Sequence, residues 1–191
     1  MADKTRPHAS STYSESHNLR LQTWYSYPPI VFARQSKMKG LRIKAYEDKF
    51  HKQFRDISSD WLLKYDLYED SDSQLLDHPQ EYLDRGASIF LAHLKDEIVG
   101  TVSINPISRS VCEILKLGVV DTYKGFGIGE KLMRLCIETC QEKEVELITL
   151  ETNSKLESAI RLYAKLGFVH VEPIDSLYAS ADVKMELRLR R

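Results

Sequence analysis

Hydrophobic and polar residues alternate from Leu41 to Tyr46: Leu41, Ile43 and Ala45 interleave with Arg42, Lys44 and Tyr46. A period of two predicts a strand. The spacing then widens. Phe50, Phe54, Ile57, Trp61 and Leu62 recur at helical intervals, followed by Leu67 and Tyr68, so one or two helices are expected across residues 48–70. Glu69–Ser73 reads as a polar stretch. His78-Pro79 begins another short helix, with proline in a tolerated first-turn position. Ser88–Lys95 and Glu97–Asn105 are two predicted strands joined by a tight turn at Lys95-Asp96-Glu97. Val111–Val119 continues the meander after the turn-forming segment Pro106–Ser110.

Past Val119 the period becomes helical again. Ile128, Leu132, Leu135, Cys136 and Thr139 share one face of a helix expected to run to about Lys143. Glu146–Glu151 is a short strand rich in Leu and Ile. Leu156, Ala159, Ile160, Tyr163 and Leu166 outline a second amphipathic helix, stopped by Gly167. Phe168–Val171 is a strand. Val183, Met185, Leu187 and Leu189 alternate with Lys184, Glu186, Arg188 and Arg190 in a last half-buried strand. The expected fold class is α/β (α+β): a mixed, mostly antiparallel central sheet with helices on both faces. It has too few crossovers to be doubly wound.

The first 38 residues follow neither period. Met1–Arg20 is rich in Ser, Thr, His and charge, and Trp24, Tyr25, Tyr27, Ile30, Val31 and Phe32 cluster around Pro28-Pro29, which blocks helix. A flexible N-terminal tail over 1–38 and one domain over 39–191 are expected. With 27 basic and 28 acidic residues the net charge is −1, which argues against a dedicated nucleic-acid binder. No run approaches the ~18 apolar residues of a membrane span, and the first thirty residues lack the apolar core of a secretory leader. Three cysteines (Cys112, Cys136, Cys140) make no disulfide framework, so a reducing, cytoplasmic setting is expected.

The chemistry concentrates in Lys124-Gly125-Phe126-Gly127-Ile128-Gly129, between a strand and an amphipathic helix. Glycines at alternate positions permit tight turning and close backbone approach to a ligand. A helix start offers unpaired N–H groups and partial positive charge, so the pair of features suits a phosphate or pyrophosphate. Lys124 adds a charge beside it. A Walker loop is excluded, because Gly129-Glu130-Lys131-Leu132 lacks both the spacing and the hydroxyl. A dinucleotide fingerprint is disfavoured by the Gly-x-Gly-x-Gly spacing and the antiparallel meander before it.

The block KLGVVDTYKGFGIGEKLM, with LITLETN and LESAIRLYAKLGF after it, resembles the GNAT (N-acetyltransferase) superfamily. The family signature is Arg/Gln-x-x-Gly-x-Gly/Ala at the start of the helix after the fourth strand. The likeness covers about residues 41–189, is most specific over 113–168, and looks like a bacterial-type single-domain subgroup. Lys124 stands where Arg or Gln is usual, so charge survives without the planar multi-donor geometry of Arg. Gly118 stands where a larger residue is common, and a looser receiving strand is expected there.

The resemblance implies acetyl-CoA as cosubstrate, with no metal, and the family's fold, in which the fourth strand splays from the fifth. Leu117, Gly118 and Val119 would hold the pantetheine arm as an added strand, the Val119 N–H reaching the acetyl oxygen. Lys124, Gly125, Phe126, Gly127, Ile128, Gly129 and Glu130 would hold the pyrophosphate. Asn153 would contact the pantetheine, although it lies six residues before Ala159 where the frequent short form has three. Tyr163, in Tyr-x-x-x-Gly-Phe, would protonate the leaving thiolate, and a packed aromatic is the plain alternative. Glu113 would take the proton of an incoming ammonium. It is six residues before Val119 and so nominally on the same face, although a bulge would alter this; an ion-paired strand carboxylate is the alternative. Cys136 and Cys140 read as core rather than a metal pair, and His93 as structural.

The expected function is N-acetyl transfer from acetyl-CoA to a primary amine by direct attack. The alternatives are a non-catalytic acyl-CoA-binding sensor or interaction module, and a nucleotide-binding regulator. No nucleic-acid or membrane partner is expected, and a homodimer would suit the family. Acceptor choice is expected to reside in residues 48–85 and 172–181, where Glu69, Asp70, Asp72 and Asp77 hint at a cationic amine.

Overall fold

The computed structural model describes residues 38–172 and 178–189. The expected tail, Met38 apart, lies outside the described residues. So does the stretch 173–177 of the expected acceptor-selecting segment.

The chain runs β1 (Leu41–Ala45), α1 (His51–Lys64), α2 (Asp70–Asp77), α3 (Pro79–Asp84), β2 (Ser88–Leu94), β3 (Glu97–Pro106) and β4 (Val111–Val119). It continues through α4 (Ile128–Glu142), β5 (Leu147–Thr152), α5 (Glu157–Lys165), β6 (Val169–His170) and β7 (Val183–Arg188). Single 3-10 turns at Asp48–Phe50 and Asp121–Tyr123 lead toward α1 and α4. The strands form one sheet in the order β1-β2-β3-β4-β5-β7-β6, antiparallel except where β4 meets β5. The expected mixed, mostly antiparallel sheet with helices is therefore the observed one.

Two boundaries differ. The polar stretch Glu69–Ser73 is not a break but the start of α2. The Asp72 carboxylate accepts the Glu69 N–H at 2.8 Å, and buried Leu75 and Leu76 anchor the following turn. Acids in a first turn suit the helix dipole, and a local polarity scan reads the same residues as loop. The strand expected over 168–171 shortens to the two residues of β6.

Alternation splits the core between the two faces. Ile114 and Cys112 of β4 pack with Ile128, Leu132, Met133, Cys136 and Cys140 of α4 on one side. Leu115 packs with Phe54 and Leu62 of α1 and Leu75 and Leu76 of α2 on the other. All three cysteines are free and buried. Burial and a ring contact with Phe50 at 5.1 Å place His93 in the packing.

Two irregularities in β4 create the site. β4 and β5 pair only through Val111–Leu147, Cys112–Ile148 and Glu113–Thr149. Beyond Glu113 the two strands part, as the resemblance implied. On its other edge β4 carries a bulge against β3, where the register jumps from Ser103–Leu115 to Thr101–Gly118. Lys116 sits in the bulge at φ +53, an uncommon conformation for a side-chain-bearing residue.

Candidate active site at the fork of the sheet

The bulge sets which β4 groups face the fork. The Val120 N–H donates to the Val99 carbonyl at 3.0 Å, which makes Gly100–Val119 a pair without mutual hydrogen bonds. The N–H and C=O of Val119 therefore point away from β3, into the gap beside β5. The extra residue also reverses the alternation: Glu113, Leu115 and Gly118 share one face, and Cys112, Ile114 and Val119 the other. The even spacing of Glu113 and Val119 suggested one face; the bulge puts them on opposite faces.

α1 packs closely over Gly118. A Cβ there would lie 3.2 Å from the Ile57 carbonyl oxygen and 3.3 Å from Trp61 Cδ1. The glycine leaves room for the helix to pack against the strand.

A cavity of about 430 Å³ occupies the fork. Toward α4 and α5 it is lined by Leu117, Val119, Tyr123, Lys124, Gly125, Gly127, Ile128, Gly129, Glu130, Asn153 and Tyr163. Toward α1 and α2 it is lined by Trp61, Leu62, Tyr65, Leu67, Asp72, Lys116, Glu151, Tyr178 and Ser180. Gly118 lines it too. Glu113 and Phe126 are not among the lining residues.

The glycine loop has the geometry of an anion cradle. Gly125 and Gly127 adopt left-handed φ values of +78° and +80°, and Gly127 caps α4. The first intrahelical bond is Lys131 N–H to the Gly127 carbonyl at 3.1 Å. The N–H groups of Ile128, Gly129 and Glu130 thus have no partner within the helix, and no side chain caps it among the described residues. Glu130 turns away from this mouth to Lys165 at 2.6 Å and Arg134 at 2.8 Å. Lys124 is not a lone charge. Asp121 takes both Lys124 at 2.6 Å and Lys64 at 2.5 Å, which holds its carboxyl down at about 2 and leaves a net single positive charge at the loop.

Tyr163 is buried at the cavity wall, where desolvation pushes its phenol well above the ordinary tyrosine range. Both ends of the Asn153 amide are engaged: Nδ2–H donates to the Ser180 carbonyl at 2.6 Å, and Oδ1 accepts from the Lys155 N–H at 2.9 Å. Glu113 lies beside Thr149 in the last paired row of the fork. Burial, then the charge of Glu151, raise its carboxyl above the ordinary value.

Glu151 and Lys116 line the cavity yet carried no signal readable in the chain. Glu151 stands two residues beyond Thr149 on β5, on the face that Glu113 shares, and pairs with Lys184 at 3.5 Å. Lys116 is ion-paired with buried Asp72 and lies 5.2 Å from the Tyr178 ring. Glu69 accepts the N–H groups of Ala179 at 3.1 Å and Ser180 at 2.6 Å, tying the chain after residue 177 to α2. A lone strand glutamate and a lone strand lysine look like surface residues until the splay and the bulge turn them inward.

A sheet forked between its one parallel strand pair, with a helix mouth of free amides at the opening, defines the acyl-CoA N-acyltransferase fold. The profile of the Acetyltransferase (GNAT) family matches residues 50–168. This chain belongs to that family, and is an acyltransferase by membership. It is 30% identical over 141 residues to the uncharacterized N-acetyltransferase YjgM of Escherichia coli (strain K12), covering 72% of this chain and 83% of that protein. It is 28% identical over 102 residues to rat N-acetyltransferase 8B, covering 50% of this chain and 46% of that protein. Among solved structures it is similar to a GNAT-family acetyltransferase of Staphylococcus aureus Mu50 (TM-score 0.71, 22% identity, 79% of this chain and 100% of that one). It is also similar to yncA of Salmonella typhimurium, a putative acetyltransferase solved with its cofactor acetyl-CoA (TM-score 0.66, 17% identity, 80% of this chain and 95% of that one). Among the described residues no helix is long and apolar enough to cross a membrane.

Proposed function

We propose that this protein transfers the acetyl group of acetyl-CoA to a primary amine by direct attack within the fork. One observation carries the reading: the unpaired edge of β4 and the amide-lined start of α4 open into the same cavity. The N–H groups of Ile128, Gly129 and Glu130, with the turns at Gly125 and Gly127, suit a diphosphate. Lys124 contributes attraction at longer range, shared with Lys64 and Asp121. Leu117 and Val119 suit an added strand, and the outward N–H of Val119 is available to the acetyl oxygen.

The reaction forms a C–N bond as a C–S bond breaks, and the amine loses one proton while sulfur gains one. We assign the amine's proton to Glu151, which lines the cavity and, unlike Asp72 and Glu130, is neither tied to a buried lysine nor turned away toward Lys165 and Arg134. Glu113 stands one register row behind it and holds a proton readily, because burial and its acidic neighbour favour the neutral acid. Tyr163, kept protonated by burial, supplies the proton to the departing sulfur. Asn153 is assigned a scaffolding part in the β5–α5 turn.

The test is calorimetric titration with CoA, ATP and NAD, paired with an amine screen reading released thiol. CoA binding with thiol release from an amine is expected. Binding of ATP with no response to CoA would overturn the reading.

A further inference from the structure

The α1 side of the fork differs in chemistry from the side assigned to CoA, and the difference bears on the acceptor. This inference rests on the acetyltransferase reading above. Glu69, Asp70, Asp72 and Asp77 hinted at a cationic acceptor, yet of these four Asp72 alone lines the cavity, and Asp70 is exposed. Glu69 binds two loop amides, Asp72 pairs with Lys116, and Asp77 pairs with Arg55 at 2.6 Å. Glu151 is opposed by Lys184. The two carboxylates on this side of the cavity, Asp72 and Glu151, each face a lysine, so little negative potential remains to hold a second positive charge beside the amine.

The rest of the wall is aromatic and aliphatic: Trp61, Leu62, Tyr65, Leu67 and Tyr178. The Trp61 indole Nε1–H is buried with no hydrogen-bond partner. The whole cavity measures about 430 Å³, at the small end of small-molecule sites, and an acetyl-pantetheine arm would share it.

We infer that the acceptor is a small primary monoamine carried on an aromatic body, seated between Trp61, Tyr65 and Tyr178 with its nitrogen toward Glu151. A polyamine or an internal lysine of a protein brings a second charge or a bulk that this wall does not match. Aromatic rings stack or meet edge-on with such side chains, and the single ammonium needs only one carboxylate.

The experiment compares phenethylamine, tyramine, spermidine and a peptide bearing one lysine by thiol release, with calorimetry of CoA alone and of phenethylamine added to the CoA-loaded protein. The two aromatic amines should exceed the others in kcat/KM by about tenfold or more. Trp61→Ala and Tyr65→Ala should each raise the aromatic-amine KM about tenfold while CoA affinity is unchanged. Trp61→Leu, which keeps an apolar filler, guards against loss of folding. Preference for spermidine or the peptide would overturn the inference. So would an unmoved KM in Trp61→Leu and Tyr65→Ala, or CoA binding without binding or turnover of any aromatic amine. Failure to bind CoA would instead overturn the acetyltransferase reading itself.

Discussion

Lys116, in the left-handed bulge of β4, forms an ion pair with Asp72 in the first turn of α2, and both residues are buried. The contact ties the helical layer to the strand edge that borders the fork. Asp72 serves twice, since its second oxygen accepts the Glu69 N–H and caps α2.

Asp72→Asn should therefore be strongly destabilising. Asparagine keeps the capping oxygen but leaves the Lys116 charge buried without its counterion, a loss of about 3–5 kcal/mol. Adding Lys116→Met should recover much of it. Urea unfolding of the single and double variants checks this, and a loss below about 1 kcal/mol in the single variant would contradict it.

Glu113 gives a pH signature. Its carboxyl is raised in the folded protein, chiefly by burial and then by Glu151, so folding favours the protonated form. Its contribution to stability is complete below the ordinary value of 4.5 and is lost as pH rises through the raised folded value. Glu113→Gln should thus be more stable than the parent at pH 7, with the difference closing at acid pH. Melting temperatures across that range provide the measurement, and a constant offset would count against it.

Asp121 offsets the two lysines at the mouth of α4. Asp121→Asn should leave both uncompensated and strengthen CoA binding several-fold at low salt. The gain should shrink as ionic strength rises, because these groups are exposed and easily screened. Titrations at low and high salt measure it; equal affinities for parent and variant at low salt would refute it.

Tyr163→Phe removes one hydroxyl from a packed ring. Loss of a positioned proton donor should lower kcat by about 10²-fold or more. CoA affinity should hold, since the anion cradle lies elsewhere. A variant that turns over normally would show the tyrosine to be packing alone.

The fork was legible from a distance. Gly125, Gly127 and the helical period from Ile128 mark an anion-binding helix start, because only certain residues tolerate those backbone angles. The chain's second half also follows the family's order of strand, helix and strand. The bulge left no such mark. Nothing in VCEILKLGV announces that Lys116 takes a left-handed turn, yet that turn moved Glu113 to the face opposite Val119 and brought Lys116 to Asp72, 44 residues away.

Local periodicity and turn chemistry are written residue by residue, so the sequence alone determined the elements, their order and the position of the glycine loop. Which side chains meet in the fork depended on register, on where β4 parts from β5, and on which charges found partners across the sheet. Those are long-range pairings. Glu151 became a lining group, and Asp72 of α2 became an internal tie, only once the strands and helices were packed.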